Sequence, residues 1–305
     1  MPYSPRVYRL LPTEQPNPAS RDLDVESADE LVRLINSEDA KVPRAVARER
    51  RRIVRAVGIL AGVLKAGGRV VCVGAGTSGR LAVMEAAECP PTFGTPPGRV
   101  RAVMAGGRSS VFRAREGAED DAKDGARQAA KAARRGDIVI GIAASGITPF
   151  VRGALREGRR LGCRTILVTS NFSAKLPEAE IVIAPQVGPE VLSGSTRMKS
   201  GTAAKLVLNT LTTAAMIRVG KAYRNWMVDL RPTSHKLRQR GIRIVSELGR
   251  VAPARARRLF GEAGGSVKTA VVMARLEVGR AEARARLKAA DGWLRRALDE
   301  GPARR

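Results

Sequence analysis

Apolar residues follow two different periods along this 305-residue chain. Short runs of mostly branched apolar residues read as buried strands over Val70–Val73, Val100–Met104, Asp137–Ile142, Thr165–Val168 and Ile181–Ala184. Around them the spacing turns helical. Ser27-Ala28-Asp29-Glu30 is a capping box ahead of Leu31, Leu34 and Ile35. Val46, Ile53, Val57, Leu60 and Leu64 share one face of a helix predicted over Pro43–Lys65, which Gly67-Gly68 ends. Further helices are predicted over Arg80–Ala87, Glu119–Arg135, Thr148–Leu161 and Ala203–Val219. From about Trp226 the strand pattern is gone, and the spacing gives helices over Ser234–Leu248, Pro253–Glu262, Ser266–Arg275 and Arg280–Leu298. Residues 1–24, with prolines at 2, 5, 12, 16 and 18, read as an extended arm.

Repeated βα units with strands apolar throughout mean an α/β fold, a doubly wound parallel sheet buried under helices on both faces. The expected organisation is an N-terminal arm and helices over 1–57, a ligand-binding sheet domain over 58–225, and a C-terminal helical subdomain over 226–305. Aromatic residues make up only 3% of the chain, so the core must be built from Val, Leu, Ile and Ala.

The formal net charge is +26, with 55 Lys and Arg against 29 Asp and Glu. Residues 231–305 hold 19 of the basic residues and only 7 acidic ones. Such a charge draws nucleic acid, anionic membranes and anionic substrates alike. The arginines are spread along the whole chain, and no aromatics interleave with them as a single-strand stacking platform requires. Nucleic acid is therefore not the expected partner, and neither is a membrane. Cys72, Cys89 and Cys163 form neither a metal spacing nor an even disulfide framework, so reduced thiols in a cytoplasmic protein are expected, with no metal. The opening MPYSPRVYRLLP lacks the apolar core of a signal peptide, and no window has 18 consecutive apolar residues.

The chemistry gathers after the strands. Gly74-Ala75-Gly76-Thr77-Ser78-Gly79 has dinucleotide-fingerprint spacing, yet the next strand ends Met104-Ala105-Gly106-Gly107 without the acid that holds a ribose. Thr77 and Ser78 instead add hydroxyls to backbone N–H groups, the donor set for a phosphate. Ser145 and Thr148, in Ala144-Ser145-Gly146-Ile147-Thr148-Pro149, repeat the pattern, and so do Ser195 and Thr196 in Ser193-Gly194-Ser195-Thr196-Arg197. Any one of these could be a helix cap; together they point to one phosphate cradle at the carboxyl edge of the sheet. Glu88 stands just before Cys89-Pro90-Pro91, where the chain is expected to leave its helix. Glu116-Gly117-Ala118-Glu119-Asp120-Asp121 is an acidic patch in a basic chain. It reads either as acid favoured in a first helical turn or as the source of a second carboxylate for acid/base work. His235 is the only histidine, far from any nucleophile, so a Ser-His-Asp triad is not supported.

The strings AECPPTFG (87–94), EGAEDD (116–121), GIAASGITPF (141–150), GPEVLSGSTRMKSGTAAKLVL (188–208) and GKAYRNWMVD (220–229), with Asn17-Pro18-Ala19-Ser20, resemble the N-acetylmuramic acid 6-phosphate etherase family over nearly the whole chain. The resemblance implies a sugar isomerase (SIS) domain with a five-stranded parallel sheet. It also implies a homodimer, no cofactor, and cleavage of the D-lactyl ether of N-acetylmuramic acid 6-phosphate. On the family's motifs Glu88 and Glu119 are the catalytic carboxylates. The chain departs from the family at Ile147, where Arg is usual, at Ala204, where Gln is usual, and at Glu85-Ala86-Ala87, where Asp-Ala-Ser is usual. A non-catalytic phosphosugar sensor and an aldose–ketose phosphosugar isomerase are the alternatives.

Overall fold

The computed structural model describes residues 9–173 and 176–299. The chain divides into two compact units, one of Met1–Ala87 with Gly98–Thr212, the other of Glu88–Pro97 with Thr213–Arg305. Among the described residues no helix is long and apolar enough to cross a membrane.

In the first unit, strands β1 (Val70–Gly74), β2 (Val100–Met104), β3 (Ile138–Ile142), β4 (Arg164–Val168) and β5 (Ile181–Ile183) form one parallel sheet in the order β2-β1-β3-β4-β5. Register is continuous across the middle, where Val70 lies opposite both Val100 and Ile138. Every residue of β1 and β3 is buried, as a sheet covered on both faces demands. Val71, Val73, Val139 and Leu167 pack with Phe150, Val151, Ala154 and Leu155 in one core. Because β1 lies between β2 and β3, the order reverses at β1. The crevice beyond the carboxyl ends of β1 and β3 is therefore the place where such sheets bind ligands.

The helices of this unit are α1 (Ala28–Asp39), α2 (Val42–Arg48), α3 (Arg50–Lys65), α4 (Gly76–Phe93), α5 (Ala122–Ala132), α6 (Pro149–Arg160) and α7 (Lys199–Arg218), the last turns of α4 and α7 belonging to the second unit. Ser27 caps α1 as expected, its hydroxyl accepting from the Glu30 N–H at 3.2 Å. The single helix predicted over Pro43–Lys65 is two. It breaks at Glu49, a buried residue whose carboxylate accepts from the Ala184 N–H at 3.2 Å after β5 and from Arg52. The arm is not extended. It makes 3-10 turns at Pro12–Glu14, Pro18–Ser20 and Leu23–Val25, with Asn17 capping the second. Pro2 and Pro5 lie outside the described residues.

A further correction concerns α4, which runs through Pro90 and Pro91 to Phe93 instead of stopping at Glu88. Both prolines sit in its last turn, and the Gly94 N–H still donates to the Pro90 carbonyl at 3.0 Å. Their missing N–H groups leave the Ala86 and Ala87 carbonyls without helical partners. The boundary between the two units falls there, between Ala87 and Glu88.

The second unit is helical: α8 (His235–Gly249), α9 (Pro253–Glu262), α10 (Val267–Leu276), α11 (Arg280–Ala289) and α12 (Leu294–Ala297). Ile244, Val245, Phe260, Val271, Val272 and Leu294 are in its core. The helix predicted over Arg280–Leu298 breaks at Asp291-Gly292, both at positive φ. Lys268 is buried, and its ammonium donates to the Gly220 carbonyl, the Gly292 carbonyl and Asp229 at 2.7–2.8 Å. Burial lowers its pKa, with Asp229 opposing. His235 opens α8 and is exposed, its Nε2 lying 3.3 Å from Gln239 Nε2.

Candidate active site

The glycine loop after β1 is shaped by close packing. A Cβ on Gly74 would lie 2.6 Å from the Gly79 nitrogen, and one on Gly79 would lie 2.1 Å from Met104 Sδ and 2.7 Å from the Gly74 carbonyl oxygen. Gly76 has φ +53°. These three requirements explain the GxGxxG spacing without any nucleotide: two glycines let helix and strand touch, and one turns the backbone. The first bond of α4 runs from the Gly79 N–H to the Ala75 carbonyl, so the N–H groups at the very start of the helix face the sheet edge without helical partners.

The loop after β3 is fixed from β4. Thr169 Oγ1 donates to the Ala144 carbonyl at 2.9 Å, and Asn171 Nδ2 to the Ser145 carbonyl at 2.9 Å. Ser145 Oγ accepts from the Ile147 N–H at 3.3 Å, while Thr148 makes no side-chain cap to α6 and keeps its hydroxyl available. Ile147 itself is buried.

A cavity of about 300 Å³ opens at this edge. Thr77 and Ser78 line it from the first loop, Ser145 and Thr148 from the second, Thr196 from the third, and Glu119 from the acidic patch. All of these were singled out from sequence, and the fold gathers them. Ser195 is not in the lining; its N–H donates to Leu192 and its carbonyl accepts from Met198 within the turn. Glu88 is an exposed residue of the second unit, whereas the cavity is formed wholly by residues of the first.

The third loop also differs in kind. The start of α7 is already capped from inside the protein: buried Glu190 accepts from the Lys199 and Ser200 N–H groups, each at 2.9 Å. That helix terminus has its anion, so Thr196 must contribute through its own hydroxyl or backbone. The cavity's other residues include Glu14 from the arm, Glu116, Arg115 and Arg80. Sequence reading passed over Glu14, whose only signal was an acid within a proline-rich arm. Arg80 is committed to structure, donating to the Val111 and Ser110 carbonyls at 2.8 and 3.1 Å.

Among the described residues no three His, Cys, Asp or Glu side chains gather as a metal site would need. All three cysteines are buried and none is in a disulfide, and burial, with the Asp137 charge, pushes the Cys163 thiol up to about 11.

This edge, with hydroxyl-bearing loops after parallel strands ordered β2-β1-β3-β4-β5, defines a phosphosugar-binding α/β protein of the SIS class. The family model for the glucokinase regulatory protein N-terminal SIS domain matches residues 52–158. A chain named N-acetylmuramic acid 6-phosphate etherase from Salinibacter ruber is 53% identical over 95% of this chain and 94% of its own length. One of the same name from Symbiobacterium thermophilum is 54% identical over 83% and 85%. The solved phosphoheptose isomerase of Neisseria gonorrhoeae overlays 62% of this chain and 98% of its own at 17% identity, with TM-score 0.48. The chain belongs to the N-acetylmuramic acid 6-phosphate etherase family.

Proposed function

We propose that the protein is a carbon–oxygen lyase that cleaves the D-lactyl ether of N-acetylmuramic acid 6-phosphate, yielding N-acetylglucosamine 6-phosphate and D-lactate. One observation carries this reading beyond the family relationship: six hydroxyl-bearing residues, five of them singled out from sequence, meet with Glu119 in one cavity at the topological switch of the sheet. The phosphate is held by the N–H groups opening α4 with Thr77 and Ser78, and the sugar extends toward Ser145, Thr148, Thr196 and Glu119.

The chemistry needs only acid and base. Opening the sugar ring exposes an aldehyde at C1, which acidifies the proton on C2. A carboxylate removes that proton, the electron pair forms the C2–C3 double bond, and the C3–O bond breaks. A carboxylic acid protonates the departing lactate oxygen. Water then adds across the double bond, its oxygen to C3 and a proton to C2, and restores the sugar. Glu119 is proposed for this work on its motif and its place in the cavity, and Glu88 on its motif. Ser195 is proposed as a substrate contact on its motif alone. A cytoplasmic homodimer without a nucleic-acid partner, organised as 1–57, 58–225 and 226–305, belongs to the same reading.

Lactate release from N-acetylmuramic acid 6-phosphate is the test. General acid/base action is worth about 10²–10⁴-fold, so Glu88→Gln and Glu119→Gln should each lose roughly that much in kcat while still binding sugar phosphate. Wild-type turnover with an undiminished Glu88→Gln variant removes Glu88 from the mechanism. A wild-type protein that interconverts aldose and ketose phosphates without releasing lactate overturns the etherase reading.

A further inference from the structure

Among the described residues of the N-terminal arm, Glu14 alone is in the cavity lining. Its position is built. The turn Pro12–Glu14 is closed by the Glu14 N–H donating to the Leu11 carbonyl at 3.0 Å and is seated on Leu11 and Thr13, which are 4% and 2% exposed. The Gln15 amide donates back to the Leu11 carbonyl at 3.2 Å. Farther along, Asn17 Nδ2 donates to the Pro189 carbonyl at 3.2 Å and Ser20 Oγ to the Val191 carbonyl at 2.7 Å. The arm is thus strapped to the segment that leads into the third hydroxyl loop.

The Glu14 carboxylate is oriented within that frame. Thr13 Oγ1 donates to its Oε1 at 3.1 Å. Its Oε2 lies against Gly194, where a Cβ would come within 3.3 Å and where φ is +78°. Gly194 therefore leaves open the space that the carboxylate occupies beside Thr196. Arg80 is spent on two carbonyls, and among the described residues no cation forms a salt bridge with Glu14.

An ionised carboxylate only accepts hydrogen bonds. In a cavity that takes a dianionic phosphate it cannot face the phosphate group without repulsion. It must meet the other end of the ligand, where hydroxyl and amide N–H donors lie. We infer that Glu14 is a positioning and specificity residue, accepting hydrogen bonds from the sugar's hydroxyl or amide donors, so that the N-terminal arm is part of the phosphosugar site. This inference rests on the phosphosugar reading of the cavity, not on lactate release.

The experiment compares the full-length wild type with Glu14→Gln and Glu14→Ala. Titration calorimetry is run with N-acetylglucosamine 6-phosphate and, separately, with inorganic phosphate. Loss of one charge-assisted hydrogen bond should weaken the sugar phosphate about tenfold in Kd. Inorganic phosphate should bind as well as before or somewhat better, because a negative charge has left the cavity. In turnover, KM should rise about tenfold and kcat fall less than about threefold. Equal affinity of wild type and both variants for the sugar phosphate overturns the proposal. So does a parallel loss of both ligands, which would mean that the arm merely supports the loops. A wild type that binds the sugar phosphate but releases no lactate defeats the etherase reading and leaves the Glu14 comparison decisive. A wild type that binds no sugar phosphate defeats both.

Discussion

The pair Glu38–Lys199 offers the sharpest stability experiment. Lys199 is the first residue of α7 and is 1% exposed; Glu38, near the end of α1, is 2% exposed. The Lys199 ammonium donates to Glu38 Oε2, and Lys41 donates to Oε1. Burial pushes the Glu38 carboxyl up, but hydrogen bonds from Lys199, Lys41 and Asn17 outweigh it and hold the group at about 2, against an ordinary 4.5. At about 1.4 kcal/mol per pH unit, that difference corresponds to about 3 kcal/mol. The folded pKa is the lower one, so this stability is complete above pH 4.5 and is lost as pH falls toward 2. Glu38→Gln leaves a buried ammonium without its charge partner, which costs about 3–5 kcal/mol at neutral pH. Lys199→Met with Glu38→Gln removes both charges and should recover much of that cost. Tryptophan fluorescence cannot read this out, because Trp226 and Trp293 both belong to the second unit. Hydrogen exchange of the amides in the first turns of α7 reports on the first unit, and urea unfolding followed by circular dichroism at pH 7 and pH 3 reports on the helices of the whole chain. The wild type should lose stability between those pH values by more than Glu38→Gln does. Identical acid sensitivity in the two proteins, or a double variant no better than Glu38→Gln, would refute the reasoning.

Two other substitutions test the packing arguments. Gly79→Ala places a methyl group 2.7 Å from a backbone carbonyl oxygen as well as against Met104, and only the methionine can move aside; it should cost about 1–3 kcal/mol and weaken sugar phosphate binding measured by calorimetry, and unchanged binding with unchanged stability would contradict the shape given to the loop. Lys268→Met strips donors from two carbonyls and from Asp229, which retains Lys221 at 3.0 Å. Its expected cost is about 2–4 kcal/mol, read as an earlier denaturant midpoint in the fluorescence of Trp226 and Trp293.

What could be read from sequence was local in origin. Val100–Met104 and Pro253–Glu262 have the same bounds in the pattern and in the structure, since a branched run between turn residues and a proline-opened amphipathic stretch are both self-contained signals. What could not be read depended on residues far away in the chain. The break at Glu49 exists because its carboxylate meets the Ala184 N–H, 135 positions later. The same holds for the site. Three loops of one composition look equivalent, and each lends hydroxyl-bearing residues to the cavity lining: Thr77 and Ser78, Ser145 and Thr148, and Thr196. The third begins a helix whose N-terminus is satisfied by Glu190, nine positions earlier, and nothing in Ser193–Arg197 announces that. The prolines after Glu88 were read as a helix stop by a rule that holds for helix interiors. In a last turn the carbonyls they disappoint are only those of Ala86 and Ala87, and Ala87 is exposed, so water can serve it. Glu14 is the converse case. Its neighbours Thr13 and Gln15 form ordinary turn contacts, and its importance arises only when Asn17 and Ser20 fasten the arm to 189–191. A functional carboxylate on a proline-rich arm is thus invisible to periodicity, and it becomes visible when one asks which carbonyls the arm's side chains satisfy.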